Sequence, residues 1–161
     1  MIILGIDPGT ARIGYSIIKK GDGEAELVTY GCLELKNYNQ AERLKKISEM
    51  ISDLISMYNP KNLAIEKLFF TKNAKTALAV SEARGVIINC AYSLNLEIRE
   101  FTPLEVKTAV TGYGKAEKYQ VQKMVANILK LKKIPKPDDA ADAIAIGLAA
   151  CYTNQKLIIK P

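Results

Sequence analysis

Four acidic residues stand where their side chains could act together on a metal ion. Asp7 and Glu66 each end a nearly continuous apolar run, so both are expected at the carboxyl ends of buried strands. Asp139 and Asp142 are three residues apart in an otherwise apolar segment, which places both on one face of a helix. Four carboxylates in one pocket repel each other unless a cation lies between them. Oxygen ligands of this kind favour Mg²⁺ or Mn²⁺, and two such ions can promote phosphodiester hydrolysis.

Each acid also has a simpler explanation. Asp7 or Glu66 alone could be a solvated residue where its strand leaves the core. Acids in the first turn of a helix are favoured by the helix dipole, and Asp138 is well placed as an N-cap after Pro137. The dipole explains Asp142 poorly, because this residue lies about a full turn into an Ala- and Ile-rich helix.

The composition excludes several other chemistries. The 161 residues contain no His, which removes Ser-His-Asp and Cys-His mechanisms. Three widely spaced cysteines argue against a disulfide framework or a zinc site and predict buried, reduced thiols. No apolar run approaches the roughly 20 residues of a membrane helix, and the amino terminus lacks the features of a signal peptide, so we expect a cytoplasmic location and no membrane association. A net charge of +6 favours a polyanionic partner.

The hydrophobic pattern predicts the elements that must position the acids. Three β-rich runs within residues 2–35 are joined by short turns and predict an antiparallel meander. Helical and extended patterns then alternate: helix 40–58, strand 63–65, helix 74–92, strand 96–101, a short helix from Pro103, helix 117–130 and helix 138–152. This order predicts an α/β fold in one domain over residues 1–161. Its mixed sheet would have three antiparallel strands followed by parallel strands, with helices on both faces.

Five short motifs follow one another along the chain: Gly5-Ile6-Asp7-Pro8-Gly9; Ala64-Ile65-Glu66; Lys72-Asn73-Ala74 with Ala83-Arg84-Gly85; Lys107 with the Gly112–Gly114 loop and Glu117-Lys118; and Asp139-Ala140-Ala141-Asp142-Ala143. In this order they resemble the RuvC family of Holliday-junction resolvases, within the ribonuclease-H-like superfamily. The resemblance runs nearly from end to end and implies a single ribonuclease-H-like nuclease domain with a five-stranded sheet.

The resemblance also implies an activity. It implies a homodimeric, metal-dependent crossover junction endodeoxyribonuclease that nicks two opposing strands of a four-way junction symmetrically, in DNA recombination and DNA repair. A branch-migration complex of the RuvA and RuvB type is an implied partner. The cofactor would be Mg²⁺, with Mn²⁺ as a substitute and two ions in each active site. The implied site residues are the metal-binding, catalytic carboxylates Asp7, Glu66, Asp139 and Asp142, with Lys107 and Lys118 in catalysis or DNA contact.

Basic and aromatic residues near these acids are candidates for DNA contact. Lysines follow Glu66 and surround the glycine loop, where they could neutralise phosphates. An exposed ring at Phe69 could stack on an unpaired base, as the resemblance implies, although one ring of Phe69-Phe70 could equally anchor its loop inside the protein. For any one lysine the alternative is plain solubility. The candidates for DNA contact are Phe69, Lys72, Lys75, Arg84, Lys107, Lys115 and Lys118.

Other functions remain to be weighed. The first motif also resembles the phosphate loop of actin-like and sugar-kinase ATPases, a fold that needs a second comparable domain for which 161 residues leave no room. A module that binds junctions without cutting them would gain from losing acids near phosphate. A ribonuclease-H-like nuclease acting on another substrate, such as an RNA–DNA hybrid, cannot be separated from a resolvase by residue chemistry alone.

Overall fold

A five-stranded sheet lies at the centre of this computed structural model, which describes residues 1–68 and 74–153, with the backbone alone for 74–76. The strands are β1 (Ile2–Pro8), β2 (Arg12–Lys20), β3 (Ala25–Glu34), β4 (Asn62–Glu66) and β5 (Glu97–Phe101). The helices are α1 (Gln40–Tyr58), α2 (Ala74–Ser93), α3 (Pro103–Thr111), α4 (Lys118–Ile128) and α5 (Asp138–Tyr152). Each corresponds to an element predicted from the sequence, within two or three residues at its ends.

The strand order is β3-β2-β1-β4-β5. The first three strands pair antiparallel, whereas β4 pairs parallel to β1, and β5 pairs parallel to β4. The predicted mixed sheet is therefore confirmed. In the β1–β4 ladder Ile6 lies beside Ile65, so Asp7 and Glu66 follow side by side at the carboxyl ends of two neighbouring strands.

Helices cover both faces of the sheet, as predicted. On one face α1 and α2 bury Ile47, Ile51 and Ile87 against strand residues such as Leu4 and Ile65. On the other face α3 and α4 pack with α5, whose residues from Ala143 to Cys151 are all buried. The apolar pattern of α5 is that of a helix enclosed on most sides, and the half-buried Asp142 interrupts it.

Glycines on the strands let α5 lie unusually close to β1 and β2. A Cβ atom on Gly5 would stand 2.5 Å from the carbonyl oxygen of Ala143, and one on Gly14 would overlap with the carbonyl oxygen of Asp139. The buried hydroxyl of Ser16 donates a hydrogen bond of 2.9 Å to the carbonyl oxygen of Ala143. This close packing fixes the first turn of α5, with its acidic residues, beside the end of β1.

Local signals set most of the helix ends. Asn39 and Thr102 cap α1 and α3 by capping boxes with Glu42 and Glu105, and Gly112 ends α3 at a φ of 74°. The prediction that Asp138 is an N-cap is wrong. Pro137 occupies the cap position, and Asp138 is the first helical residue, whose carboxylate accepts a hydrogen bond of 2.8 Å from Lys136 Nζ.

The cysteines and the helix lengths test two further expectations. All three cysteines are free, but only Cys151 is buried; Cys32 and Cys90 are half-buried, so the prediction of buried thiols is wrong for these two. Cys32 belongs to β3 at the edge of the sheet, where its side chain is covered on fewer sides. Among the helices in the described part of the chain, none combines the length and the apolar character needed to cross a bilayer.

Candidate active site

A cavity of about 200 Å³ opens where β1 and β4 end. Three of the four predicted carboxylates, Asp7, Glu66 and Asp142, line it, and so do both predicted catalytic lysines. The remaining lining is largely apolar. The complete lining comprises Asp7, Glu66, Pro103, Val106, Lys107, Lys118, Val121, Asp142, Ala145 and Ile146. Ionic groups held against apolar walls interact more strongly than they do in water, so this cavity suits the binding of charged groups.

Asp7 has the most strongly perturbed acidity in the cavity. Burial is the main cause that raises the pKa of Asp7 from 3.8 to about 8, and the negative charges of Glu66, Asp142 and Asp139 contribute to this rise. The positive charge of Lys118 opposes this rise. At neutral pH the metal-free protein therefore keeps a proton on Asp7, because a further negative charge there is too costly.

Glu66 and Asp142 also have raised pKa values, and burial is the main cause for both. The charge of Asp142 adds to the rise at Glu66, whereas a side-chain hydrogen bond with Asp7 and the charge of Lys118 oppose it. A hydrogen bond between two carboxyl groups requires that one of them be protonated, which agrees with the proton on Asp7. At Asp142 the hydrogen bond with Lys118 opposes the effect of burial.

Lys118 is the cation in direct contact with these acids. Its Nζ lies 2.7 Å from Oδ2 of Asp142, at hydrogen-bonding distance, and 3.8 Å from Oδ2 of Asp138. Partial burial lowers the pKa of Lys118, but the hydrogen bond with Asp142 and the charges of Asp142, Asp138 and Asp7 outweigh it and raise that pKa overall. Lys118 is therefore charged at neutral pH.

Asp139 lies at the edge of the site rather than among the residues that line the cavity. Its Oδ2 is 3.6 Å from Nη1 of Arg12, at the start of β2. Its charge still reaches Asp7 and contributes to the raised pKa there. The structure thus brings Asp7, Glu66 and Asp142 together and turns Asp139 toward a neighbouring arginine.

The donor set agrees with a hard divalent cation in kind. All the acids are oxygen donors, and their mutual repulsion has to be relieved by protons or cations. Within residues 1–68 and 74–153, however, no three Asp, Glu, His or Cys side chains stand close enough together to hold one ion as they are placed. Side-chain adjustment, including release of Asp142 by Lys118, is therefore a condition for forming a complete ligand set.

The predicted DNA contacts occupy different surroundings. Lys107 is half-buried in the cavity wall, and Lys115 is exposed in the loop before α4. The Arg84 side chain is only 18% exposed, forms an ion pair with Glu100 and donates a hydrogen bond to the carbonyl oxygen of Glu66, which leaves little of it to reach a phosphate. Phe69 and Lys72, and the side chain of Lys75, lie outside the described residues, so their roles stay predictions.

Sequence reasoning missed three participants. Arg12 holds Asp139, Asp138 shares Lys118 with Asp142, and Glu100 holds Arg84. The basic residue five positions after Asp7 was a usable signal for Arg12, because the turn between antiparallel strands returns it toward the same end of the sheet. No sequence signal pairs Glu100 with Arg84, since their contact depends on how α2 lies across the end of β5.

Comparison with known proteins identifies the family of this chain. Residues 3–151 match the family described as "Crossover junction endodeoxyribonuclease RuvC". The chain belongs to the RuvC family. It is 48% identical over 155 residues to the RuvC of Halothermothrix orenii, which covers 96% of this chain and 93% of that protein. It is 52% identical to the RuvC of Natranaerobius thermophilus, with 96% and 95% covered.

A solved structure extends the similarity to three dimensions. Thermus thermophilus RuvC in complex with a Holliday junction substrate superposes on this chain with a TM-score of 0.89 and 30% identity, covering 94% of this chain and 93% of that one. The ribonuclease-H-like fold inferred from the sequence is thereby confirmed for this RuvC family member.

Proposed function

We propose that this chain is a structure-selective endodeoxyribonuclease that resolves Holliday junctions by nicking two opposing strands, in recombination and repair. The observation that carries the proposal is the cavity at the ends of β1 and β4. There, three carboxylates and two lysines converge in a chain of the RuvC family. The relatives that share nearly its full length are named crossover junction endodeoxyribonucleases. The substrate implies a cytoplasmic location.

The acids and the lysines of the cavity have different proposed roles in phosphodiester hydrolysis. Asp7, Glu66 and Asp142, with Asp139 beside them, would hold the metal ions after side-chain adjustment; Mg²⁺ is the proposed species, Mn²⁺ a substitute and two ions the proposed number. When bound, such ions supply an activated water and stabilise the departing oxygen. Lys107 and Lys118 place positive charge in the same cavity, where they attract the DNA backbone and stabilise negative charge that develops during the reaction.

Symmetric nicking requires two active sites, and we propose a homodimer. The support is the outward face of α2, where Leu78 is 63% exposed and the space above Gly85 is open. A two-fold interface brings the same patch of both subunits together, and this exposed face of α2 is the patch we propose for it. A branch-migration complex of the RuvA and RuvB type is the proposed partner on the junction.

The test is cleavage of a labelled synthetic four-way junction, beside a linear duplex and an RNA–DNA hybrid, with and without Mg²⁺. Paired, symmetric nicks on the junction alone, and only with the metal, are expected. Cutting of the hybrid instead would assign the chain to another substrate within the ribonuclease-H-like superfamily. Junction binding without any cutting would reduce it to a junction-binding module.

A further inference from the structure

Arg84 links helix α2 to the carboxyl ends of two strands. Its Nε donates a hydrogen bond of 3.2 Å to the backbone carbonyl oxygen of Glu66, the last residue of β4. Its Nη2 forms an ion pair with Oε1 of Glu100, on β5. The two side chains are only 18% and 13% exposed, so neither partner is a freely moving surface group.

The position of Glu100 makes this link specific for the end of β4. Ile65 pairs with Glu100, and Glu66 pairs with Phe101, in the parallel β4–β5 ladder. The backbone N–H of Lys67 donates a hydrogen bond of 2.8 Å to the carbonyl oxygen of Phe101, at the carboxyl ends of these two strands. At the same place, the Arg84 side chain donates its hydrogen bond to the backbone of Glu66 itself.

We propose that Arg84 is a positioning residue, which fixes the direction in which Glu66 points into the cavity, and that Glu100 holds the guanidinium in place for this purpose. The inference rests on the proposed function, because Glu66 matters only if its carboxylate binds the metal. A peptide whose carbonyl is held by a buried arginine has little freedom to rotate, and rotation of this peptide would move the Glu66 carboxylate away from Asp7.

The chemistry of arginine suits this double contact. A guanidinium presents several N–H donors in a rigid plane, so it can serve a carbonyl and a carboxylate together. A lysine presents one compact ammonium group on a flexible chain. Arg84→Lys should therefore keep a positive charge opposite Glu100 but lose the hydrogen bond to the carbonyl oxygen of Glu66. This variant thus distinguishes a positioning role of Arg84 from a role in charge balance alone.

Arg99→Lys is the matched control. Arg99, on β5, is likewise an arginine with little exposure, but its Nη1 and Nη2 donate to the carbonyl oxygens of Ala150 and Thr153, at the far end of α5. The variant Arg99→Lys should lose the stability that is generally lost when a buried arginine is replaced by lysine, but it leaves the contact with Glu66 unchanged. Any effect that the two variants share is a general loss of stability.

The experiment measures three quantities for the wild type and for both lysine variants. They are the single-turnover cleavage rate of a four-way junction at saturating protein, the junction Kd without divalent metal, and the rise in Tm on adding Mg²⁺ without DNA. For Arg84→Lys we expect a rate about 10–100-fold lower, a smaller rise in Tm with Mg²⁺, and an unchanged Kd. Arg99→Lys should keep the wild-type rate and the wild-type response to Mg²⁺.

Two outcomes overturn the inference. Equal cleavage rates and equal Mg²⁺ responses in the two lysine variants would make Arg84 purely structural. A weaker junction Kd with an unchanged rate at saturation would make it a DNA contact. If Arg84→Lys does not fold, Glu100→Gln decides: a lower rate at unchanged Kd supports positioning, and a wild-type rate refutes it. If the wild type itself cuts nothing, the proposed function fails, and the Mg²⁺-induced rise in Tm alone decides the role of Arg84.

Discussion

Replacing Asp7 by Asn should make the metal-free protein more stable at neutral pH. Burial and three neighbouring acids raise the pKa of Asp7 from 3.8 to about 8, so the folded protein binds this proton far more tightly than the unfolded chain does. Unfolding therefore releases a proton between these two pKa values, and the free energy of unfolding falls as the pH rises from about 4 to about 8. Asn is nearly isosteric, carries no charge and can still donate a hydrogen bond to Glu66.

The size of the effect follows from the shift. One pKa unit corresponds to about 1.4 kcal/mol. The free energy of unfolding of the wild type therefore falls by about 4 kcal/mol between pH 3.8 and pH 7 if the whole shift is realised, and Asp7→Asn avoids this loss. The cavity opens to water and Asp7 is only partly buried, so solvent screens part of this interaction; we expect about 2 kcal/mol. For a chain of this length that corresponds to a rise in Tm of about 4–8 °C.

The assay is thermal unfolding in EDTA, followed by circular dichroism, at about pH 4.5 and about pH 7. The control is Asp22→Asn, at an exposed aspartate in the turn between β2 and β3. Asp7→Asn should exceed the wild type in Tm at neutral pH, with most of the difference lost at acidic pH, whereas Asp22→Asn should show no such pattern. A difference of the same size at both pH values, or a lower Tm at neutral pH, would refute the assignment of the proton to Asp7.

Three further changes test the site. Asp7→Asn should abolish metal-dependent cleavage and leave the junction Kd without metal unchanged, because Asp7 already carries a proton at neutral pH; substantial residual cutting in a strand-nicking assay would count against Asp7 as a metal ligand. Lys118→Ala should slow single-turnover cleavage more than Lys133→Ala does, because Lys133 is exposed and lies outside the cavity. Equal rates would mean that Lys118 contributes only a general attraction to DNA. Gly14→Ala should cost about 1–3 kcal/mol in urea unfolding, because the new methyl group meets the backbone of α5. Unfolding of Gly14→Ala at the same urea concentration as the wild type would contradict the close packing of α5.

The sheet and helices could be predicted because their signals are local. Strand β1 is a short apolar run ended by Pro8-Gly9, α1 repeats apolar residues at a helical period, and Pro103 opens α3. The neighbouring positions of Asp7 and Glu66 followed from general rules for parallel strands in α/β sheets. The interrupted pattern of α5 was also informative, since it singled out Asp142, and the structure places Asp142 in the cavity.

What escaped prediction depends on directions that side chains take after packing. Asp139 and Asp142 share a helix face, yet one turns toward Arg12 while the other lines the cavity. Arg84 lies in a motif near basic residues and was predicted to contact DNA, but its side chain points toward Glu100 inside the fold. Spacing along the chain defines which residues can meet, but the close approach of elements decides which of them do.

The acids of the site have different partners, so binding a metal ion requires a different change at each of them. Asp142 is held by the ammonium of Lys118, and Asp139 by the guanidinium of Arg12, so ligation by either requires breaking an ion pair. Asp7 and Glu66 share a hydrogen bond, and the charge of Lys118 lowers the pKa of both. Ligation by Asp7 requires instead the loss of a proton, which becomes easier as the pH approaches the raised pKa of Asp7. The Asp7–Glu66 pair is therefore the part of the site that can bind a cation without breaking an ion pair, and release of Asp142 by Lys118 is the condition for adding Asp142 to the ligand set.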